Sequence, residues 1–229
     1  MSGVRRINDS VLGGLERPAL AWMTRRLPPQ VLPDHLTALG LAGALLAAIG
    51  YLLARHSLNW LWLANVGLLA NWVGDSLDGT LARARGIQRP RYGFFLDHVT
   101  DLFGQVMIFL SLGVSPLVHF PIACLGLIAF LIAFVYSLIY AHTHAAMRIT
   151  YCYFGPTEIR ALLLGGNLLV LEVGLVNLRP GMGFAPLPSV ISIHDLVIST
   201  LALAGTLLIA ALAIRDARAL AALDPPPSP

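Results

Sequence analysis

Twelve acidic residues are present in 229, and four of them stand in two tight pairs. Asp75 and Asp78 are three apart, and Asp97 and Asp101 are four apart. Those are the two spacings that put side chains on one face of a helix. The link between the pairs is short, so two antiparallel neighbouring helices with facing carboxylates are expected. Four carboxylates at one depth repel one another, and stripping them of water is costly. With no basic residue expected between the helix faces, cations must compensate. Oxygen-only ligation favours magnesium or manganese over zinc. Two such ions form the usual clamp for in-line attack on phosphorus. The plainer alternative, carboxylates capping helix ends and pairing with Arg83 or Arg85, requires four coincidences of spacing.

The elements that must position these residues are membrane helices. The chain is 57% hydrophobic and only 12% charged, with a mean hydropathy of +0.75. A soluble domain carries about a quarter charged residues, and half of that leaves too little polar surface to coat a globule. An all-α polytopic membrane protein is therefore expected. Since a bilayer core takes about 20 apolar residues of helix, six spans are read, roughly Leu36–Ala54, Trp60–Ala82, Leu96–Val114, Phe120–Ala146, Thr157–Val176 and Leu196–Ile214. Ahead of them, Ser10 to Leu27 reads as an amphipathic helix lying on the membrane surface, with Val11, Leu12, Leu15, Ala19, Trp22 and Met23 on one side. Arg17, Arg25 and Arg26 are available to lipid phosphates, and Pro18 should interrupt the helix. The expected organisation is an N-terminal cytoplasmic segment (1–35), a six-helix catalytic domain (36–216) and a disordered tail (217–229).

Orientation follows from arginine, the only basic residue besides histidine. Arg5, Arg6, Arg17, Arg25, Arg26, Arg83, Arg85, Arg89, Arg91, Arg148, Arg160, Arg215 and Arg218 fall on one side of a six-span layout, and Arg55 and Arg179 on the other. The positive-inside bias then puts both termini and the aspartates in the cytoplasm, with the protein in a cell inner membrane or its equivalent. No basic stripe interleaved with aromatics is present, which argues against a nucleic-acid partner. Cys124 and Cys152 have no spacing that marks a metal site or a disulfide, and no secretory signal is read at the N-terminus.

The residues around the aspartates carry more. Asp75-Ser-Leu-Asp78-Gly79-Thr-Leu-Ala82-Arg83, nine residues, then Gly93-Phe-Phe-Leu-Asp97-His-Val-Thr-Asp101 resembles the signature of the CDP-alcohol phosphotransferase family, D-x-x-D-G-x-x-A-R followed by G-x-x-x-D-x-x-x-D. All eight fixed positions are filled. The resemblance implies a transferase of phospholipid synthesis that moves a phospho-alcohol or phosphatidyl group from a CDP-linked donor to a hydroxyl, releasing CMP. It implies two magnesium or manganese ions on Asp75, Asp78, Asp97 and Asp101, and contact of the CDP part with Gly79, Ala82, Arg83 and Gly93. A homodimer is implied as well. On their own, the glycines read as helix packing, while Arg83 can meet a phosphate as a planar fork.

Two features bear on the branch. Asp97 is followed by His98, and Phe154-Gly-Pro-Thr-Glu158-Ile-Arg160 follows the fourth span; both look like the choline and ethanolamine phosphotransferases. A neutral His98 held by Glu158 would serve as general base, with Asp101 in reserve should it bind metal only weakly. Alternatively His98 orients a ligand and Glu158 is a helix N-terminal charge. The chain is shorter than that branch, so the donor is either a CDP-amino alcohol used with diacylglycerol or a CDP-diacylglycerol used with a small alcohol. Leu32-Pro-Asp34-His-Leu-Thr37 resembles the family's Pro-Asn-x-Leu-Thr, with Asp34 in place of asparagine, and should only fix the start of the first span. His142 and His144 read as interfacial, and Glu172 is costly inside the fifth span. Competing classes are an intramembrane prenyltransferase, which also holds magnesium diphosphate on aspartates, and a cation transporter. The Gly79-x-x-Ala82-Arg83 stretch is foreign to the first, and the second usually shows internal repeats.

Overall fold

The computed structural model describes residues 5–7, 11–144, 146–148, 155–175, 177–178 and 191–224. Helices dominate: α1 (Gly13–Thr24), α2 (Pro33–Leu53), α3 (Leu61–Arg85), α4 (Pro90–Val114), α5 (Phe120–His144), α6 (Pro156–Val173) and α7 (Ile193–Leu223). Two minimal strand pairings accompany them. β1 (Arg5–Ile7) runs parallel to β2 (Ala146–Arg148), and β3 (Asn177–Leu178) antiparallel to β4 (Ile191–Ser192).

The expected count of six apolar spans is corrected to four. Among the described residues, α2, α4, α5 and α7 are long and apolar enough to cross a membrane by themselves. Helix α3 has the length but carries Asp75, Asp78, Arg83 and Arg85. Helix α6 has only 18 residues and includes Glu158, Arg160 and Glu172. Both are held by their neighbours rather than by lipid alone. Because α6 ends at Val173, Glu172 lies exposed in its last turn instead of deep within a span. Helix α7 runs on to Leu223, past the expected end at Ile214. The tail from 225, Cys152, and the expected span ends at Ala146 and Val176 lie wholly or in their side chains outside the described residues; Cys124 is a free thiol.

Packing begins with α2 against α3. Gly40, Gly43, Ala47 and Gly50 face Ala64, Gly67 and Gly74, and the two backbones touch. A Cβ on Gly43 would stand 2.7 Å from the Gly67 carbonyl oxygen, and one on Gly74 would stand 2.6 Å from the Gly40 Cα. Only hydrogen fits there, the small-residue contact typical of membrane helices. Helix α3 ends on Gly86 in the left-handed conformation (φ 67°), whose N–H and that of Ile87 satisfy the last carbonyls, as a glycine cap does. Pro90 then starts α4. Contrary to expectation, α3 and α4 pack little on one another. Both lean on α2 instead, and the gap between the end of α3 and the start of α4 becomes the site.

From α4 the contacts continue to α5 and α7, while α6 packs on α3. Helices α6 and α7 thus end an open ring, and they meet where the His194 ring rests on Gly166. Between them lies a cavity of about 840 Å³. On the far face, Asp195 is fully buried and accepts from the His119 and Ser192 backbone N–H groups and the His119 ring, locking the α4–α5 turn to α7.

Helix α1 runs through Pro18 without interruption. Of the residues expected on its apolar side, Met23 turns inward with Leu20 and docks on Leu36, Leu77 and Leu81. Val11, Leu15 and Trp22 stay exposed, with Arg26 over the Trp22 ring at 3.9 Å.

Candidate active site

Asp75, Asp78, Asp97 and Asp101 line one small cleft with Thr37, Asn71 and Thr100. One oxygen from each of Asp75, Asp97 and Asp101 lies within 4.8 Å of the other two. Asp78 sits slightly apart and is engaged by the protein: its Oδ2 accepts from the Thr37 hydroxyl at 2.7 Å, and its Oδ1 from the Gly79 N–H. The i, i+3 and i, i+4 spacings thus do what they promise, bringing all four acids to one place. Arg83 reaches Thr80, and Arg85 gathers the carbonyls of Leu27, Pro28, Pro29 and Val31, pinning the α1–α2 link to the end of α3.

One expectation is overturned. A basic residue does stand between the helix faces: Arg160, from the first turns of α6, is 4% exposed and bonds Asp75 at 2.7 Å and Asn71 at 2.8 Å. Asn71 in turn donates to the Gly40 carbonyl at 2.9 Å. A buried arginine needs such partners. A carboxylate has two oxygens, so the contact does not exhaust Asp75.

The donor set suits a hard divalent cation. Three carboxylates offer oxygens within 4.8 Å of one another, none of the three is fully exposed, and the Arg160 guanidinium stands beside them. That is the ligation magnesium and manganese take.

His98 lies beside this cluster. Its Nδ1 is 2.7 Å from the Phe94 carbonyl oxygen and 3.6 Å from Asp97, and its ring stacks on Phe94 at 4.1 Å. A carbonyl only accepts, so Nδ1 carries the hydrogen in the neutral ring and Nε2 holds the lone pair. His98 lines the large cavity together with Asp75, Asp97 and Asp101. The rest of the wall is apolar: Phe109, Phe130 and Phe134 from α4 and α5, with Leu163, Val197 and Leu201 from α6 and α7 among others. A polar end at the aspartates opens into a hydrocarbon-lined body.

Glu158 is not among the residues lining that cavity. It is 6% exposed, its Oε2 accepts from the Gly155 N–H at 2.9 Å, and its Oε1 accepts from the Leu12 N–H at 3.0 Å. It thereby caps α6 and ties it to the start of α1. Gly93 is exposed, and a Cβ there would meet nothing within 4 Å. Ala82 lies about one turn beyond Asp78 along α3 and Arg83 follows it directly, near the C-terminal end of the helix. Thr37 was read as part of a helix start only, yet it holds Asp78. Asp34 bonds Arg89 at 3.2 Å and Tyr92 at 3.3 Å. His142 and His144 end α5, with His144 stacked on Tyr140.

The model of the CDP-alcohol phosphatidyltransferase family matches residues 30–214. The chain belongs to that family. No curated protein matches it. A CDP-alcohol phosphatidyltransferase transfers a phospho-alcohol group in phospholipid synthesis, from a CDP-linked substrate to a lipid or alcohol acceptor, and the family works with divalent metals. The chain is thus a transferase, and its four long apolar helices make it an integral membrane protein. Family membership sets aside the prenyltransferase and transporter readings.

Proposed function

We propose that the chain joins a lipid substrate held in the apolar cavity to a CDP-linked reaction at the aspartates, with CMP as the leaving product. The observation that carries this is the continuity of one cavity, from three clustered carboxylates into a wall of apolar side chains. Either diacylglycerol receiving a phospho-amino alcohol or CDP-diacylglycerol giving up its phosphatidyl group to a small alcohol suits such a space.

Asp75, Asp97 and Asp101 would hold two divalent ions, with Asp78 completing the set from its place beside Thr37. Bound there, the ions would neutralise the diphosphate and stabilise the charge developing on departing CMP. The acceptor oxygen attacks the donor phosphorus, and the bond from that phosphorus to the bridging oxygen breaks. CMP leaves with the electron pair. His98 Nε2 receives the acceptor's proton; its tautomer, set by the Phe94 carbonyl, supports this role. Asp101, within the carboxylate cluster, is the second choice. We assign Glu158 to holding α6 and α1 in place rather than to proton transfer. Arg83 and Gly93 meet the CDP part, as do Gly79 and Ala82. For Gly93, the open space around it supports this, because among the described residues nothing packs closely enough to require a glycine there. Sidedness is cytoplasmic, from the arginine asymmetry, and the active form is a homodimer.

The test is purified protein in lipid with a panel of donors: CDP-choline and CDP-ethanolamine with diacylglycerol, and CDP-diacylglycerol with small alcohols, reading CMP release. One arm should respond, and Asp97→Asn should abolish its metal-dependent CMP release. No CMP from any arm, or full activity in Asp97→Asn, overturns the reading.

A further inference from the structure

Helix α1 sends one charged side chain inward. A single oxygen of Glu16, Oε1, accepts from the Trp72 indole N–H at 2.9 Å, the Ser76 hydroxyl at 3.1 Å and the Thr157 hydroxyl at 3.0 Å. Trp72 and Ser76 are an i, i+4 pair on α3, and Thr157 lies in the first turn of α6. Directly alongside is a second connection between the same helices: Arg160 joins α6 to Asn71 and Asp75, the i, i+4 pair one residue earlier on α3. Ser76 follows Asp75 directly, and Thr157 precedes Arg160 by three residues. The two rungs therefore hold one turn of α3 against the start of α6, and Asp75 lies on that turn. The same end of α1 is tied a second time, one turn before Glu16, by the Leu12 N–H on Glu158.

We propose that Glu16 is a positioning residue for the transferase site: through Trp72, Ser76 and Thr157 it sets the orientation of Asp75 between Arg160 and the other carboxylates. Three donors converging on one carboxylate oxygen from two helices constrain both rotation and separation, which a single contact would not. Charge strengthens each of these bonds. The inference rests on the metal-binding reading of Asp75, Asp97 and Asp101. It adds to the motif a residue about 60 positions upstream (from the 59-residue separation of Glu16 and Asp75).

The experiment measures Mn²⁺ binding by electron paramagnetic resonance on the full-length protein in lipid nanodiscs, beside turnover and the thermal unfolding transition. Glu16→Ala should weaken Mn²⁺ binding about 10-fold or more, the usual scale for losing a partner that orients a ligand. Its unfolding transition should stay near wild type. Glu16→Gln keeps an acceptor oxygen and should recover most of the affinity, which a general packing defect would not do. If Glu16→Ala fails to fold, the combined Trp72→Phe, Thr157→Val variant removes two of the three donors and should show the same loss. Wild-type affinity in Glu16→Ala, or in that double variant where it is needed, overturns the positioning role. Asp97→Asn separates the two ideas: if it binds Mn²⁺ like wild type, the metal reading itself has failed, whatever Glu16 does.

Discussion

The His98 ring is held by its own helix. Its Nδ1 meets the carbonyl one turn back, and Phe94 covers one face, so Nε2 is oriented without help from Glu158. His98→Ala should therefore lower turnover by about 10²–10⁴-fold, the scale of a lost general base, while binding of the CDP donor persists in equilibrium titration. A donor chiral at phosphorus should give inversion, because one in-line displacement has no covalent intermediate; retention would sink this mechanism. At this scale the sequence was legible where spacing alone did the work. The four aspartates were found because helical periodicity is local. Arg160, Thr37 and Glu16 were not, because their partners are 85, 41 and about 60 residues away: Asp75, Asp78 and the Trp72–Ser76 turn. Arg160 entered only through the arginine asymmetry and the Phe154–Arg160 run, although a buried arginine beside a helix start has to find a carboxylate. The Thr157-Glu158-x-Arg160 run entering an acidic site held that signal.

Two sets of glycines in neighbouring helices do different things. Gly43, Gly67 and Gly74 are enclosed by backbone, whereas Gly93 has open space around it. Gly67→Val should force α2 and α3 apart and destabilise the fold by about 1–3 kcal/mol or more, as overpacking does. The readout is a lowered unfolding transition or loss of the folded protein in detergent. Gly93→Val should leave that transition nearly unchanged and raise KM for the CDP donor; an unchanged KM would remove Gly93 from the nucleotide site. Helix positions were readable to within a few residues from apolar runs. The membrane role of α3 and α6 was not, since a span count treats each helix alone. Helix α6 is short and charged, and it keeps its place through Arg160 at one end and Asn167 further along, where the Asn167 amide bonds Tyr51 and Asn65. The docking of Leu20 and Met23 of α1 on α2 and α3 was not legible, because those contacts join residues far apart in sequence.

For the whole molecule the open matter is which way it faces. Gln88 lies in the α3–α4 link and His56 in the α2–α3 turn; both are exposed, at opposite ends of α3. In a background lacking Cys124 and Cys152, a cysteine at Gln88 should react only after the cytoplasmic side is opened to a membrane-impermeant maleimide. One at His56 should react in intact cells. The reverse pattern would place the aspartates outside and contradict the arginine asymmetry. Helix α3 crosses with α2, and its acidic end marks the side from which a nucleotide must arrive.

The backbone contact between α2 and α3 also divides the molecule mechanically. An interface where backbone meets backbone over several turns has few rotamers to rearrange there and does not slide by small steps. These two helices behave as a single stiff bar, and Asp75 and Asp78 ride on it. The cavity side is different: α6 and α7 meet through a histidine ring on a glycine, and apolar side chains line the space between them. If the proposed lipid enters this cavity, the change of shape on loading and release falls to α5, α6 and α7. The enzyme has an anvil and a jaw, and substrate exchange belongs to the jaw.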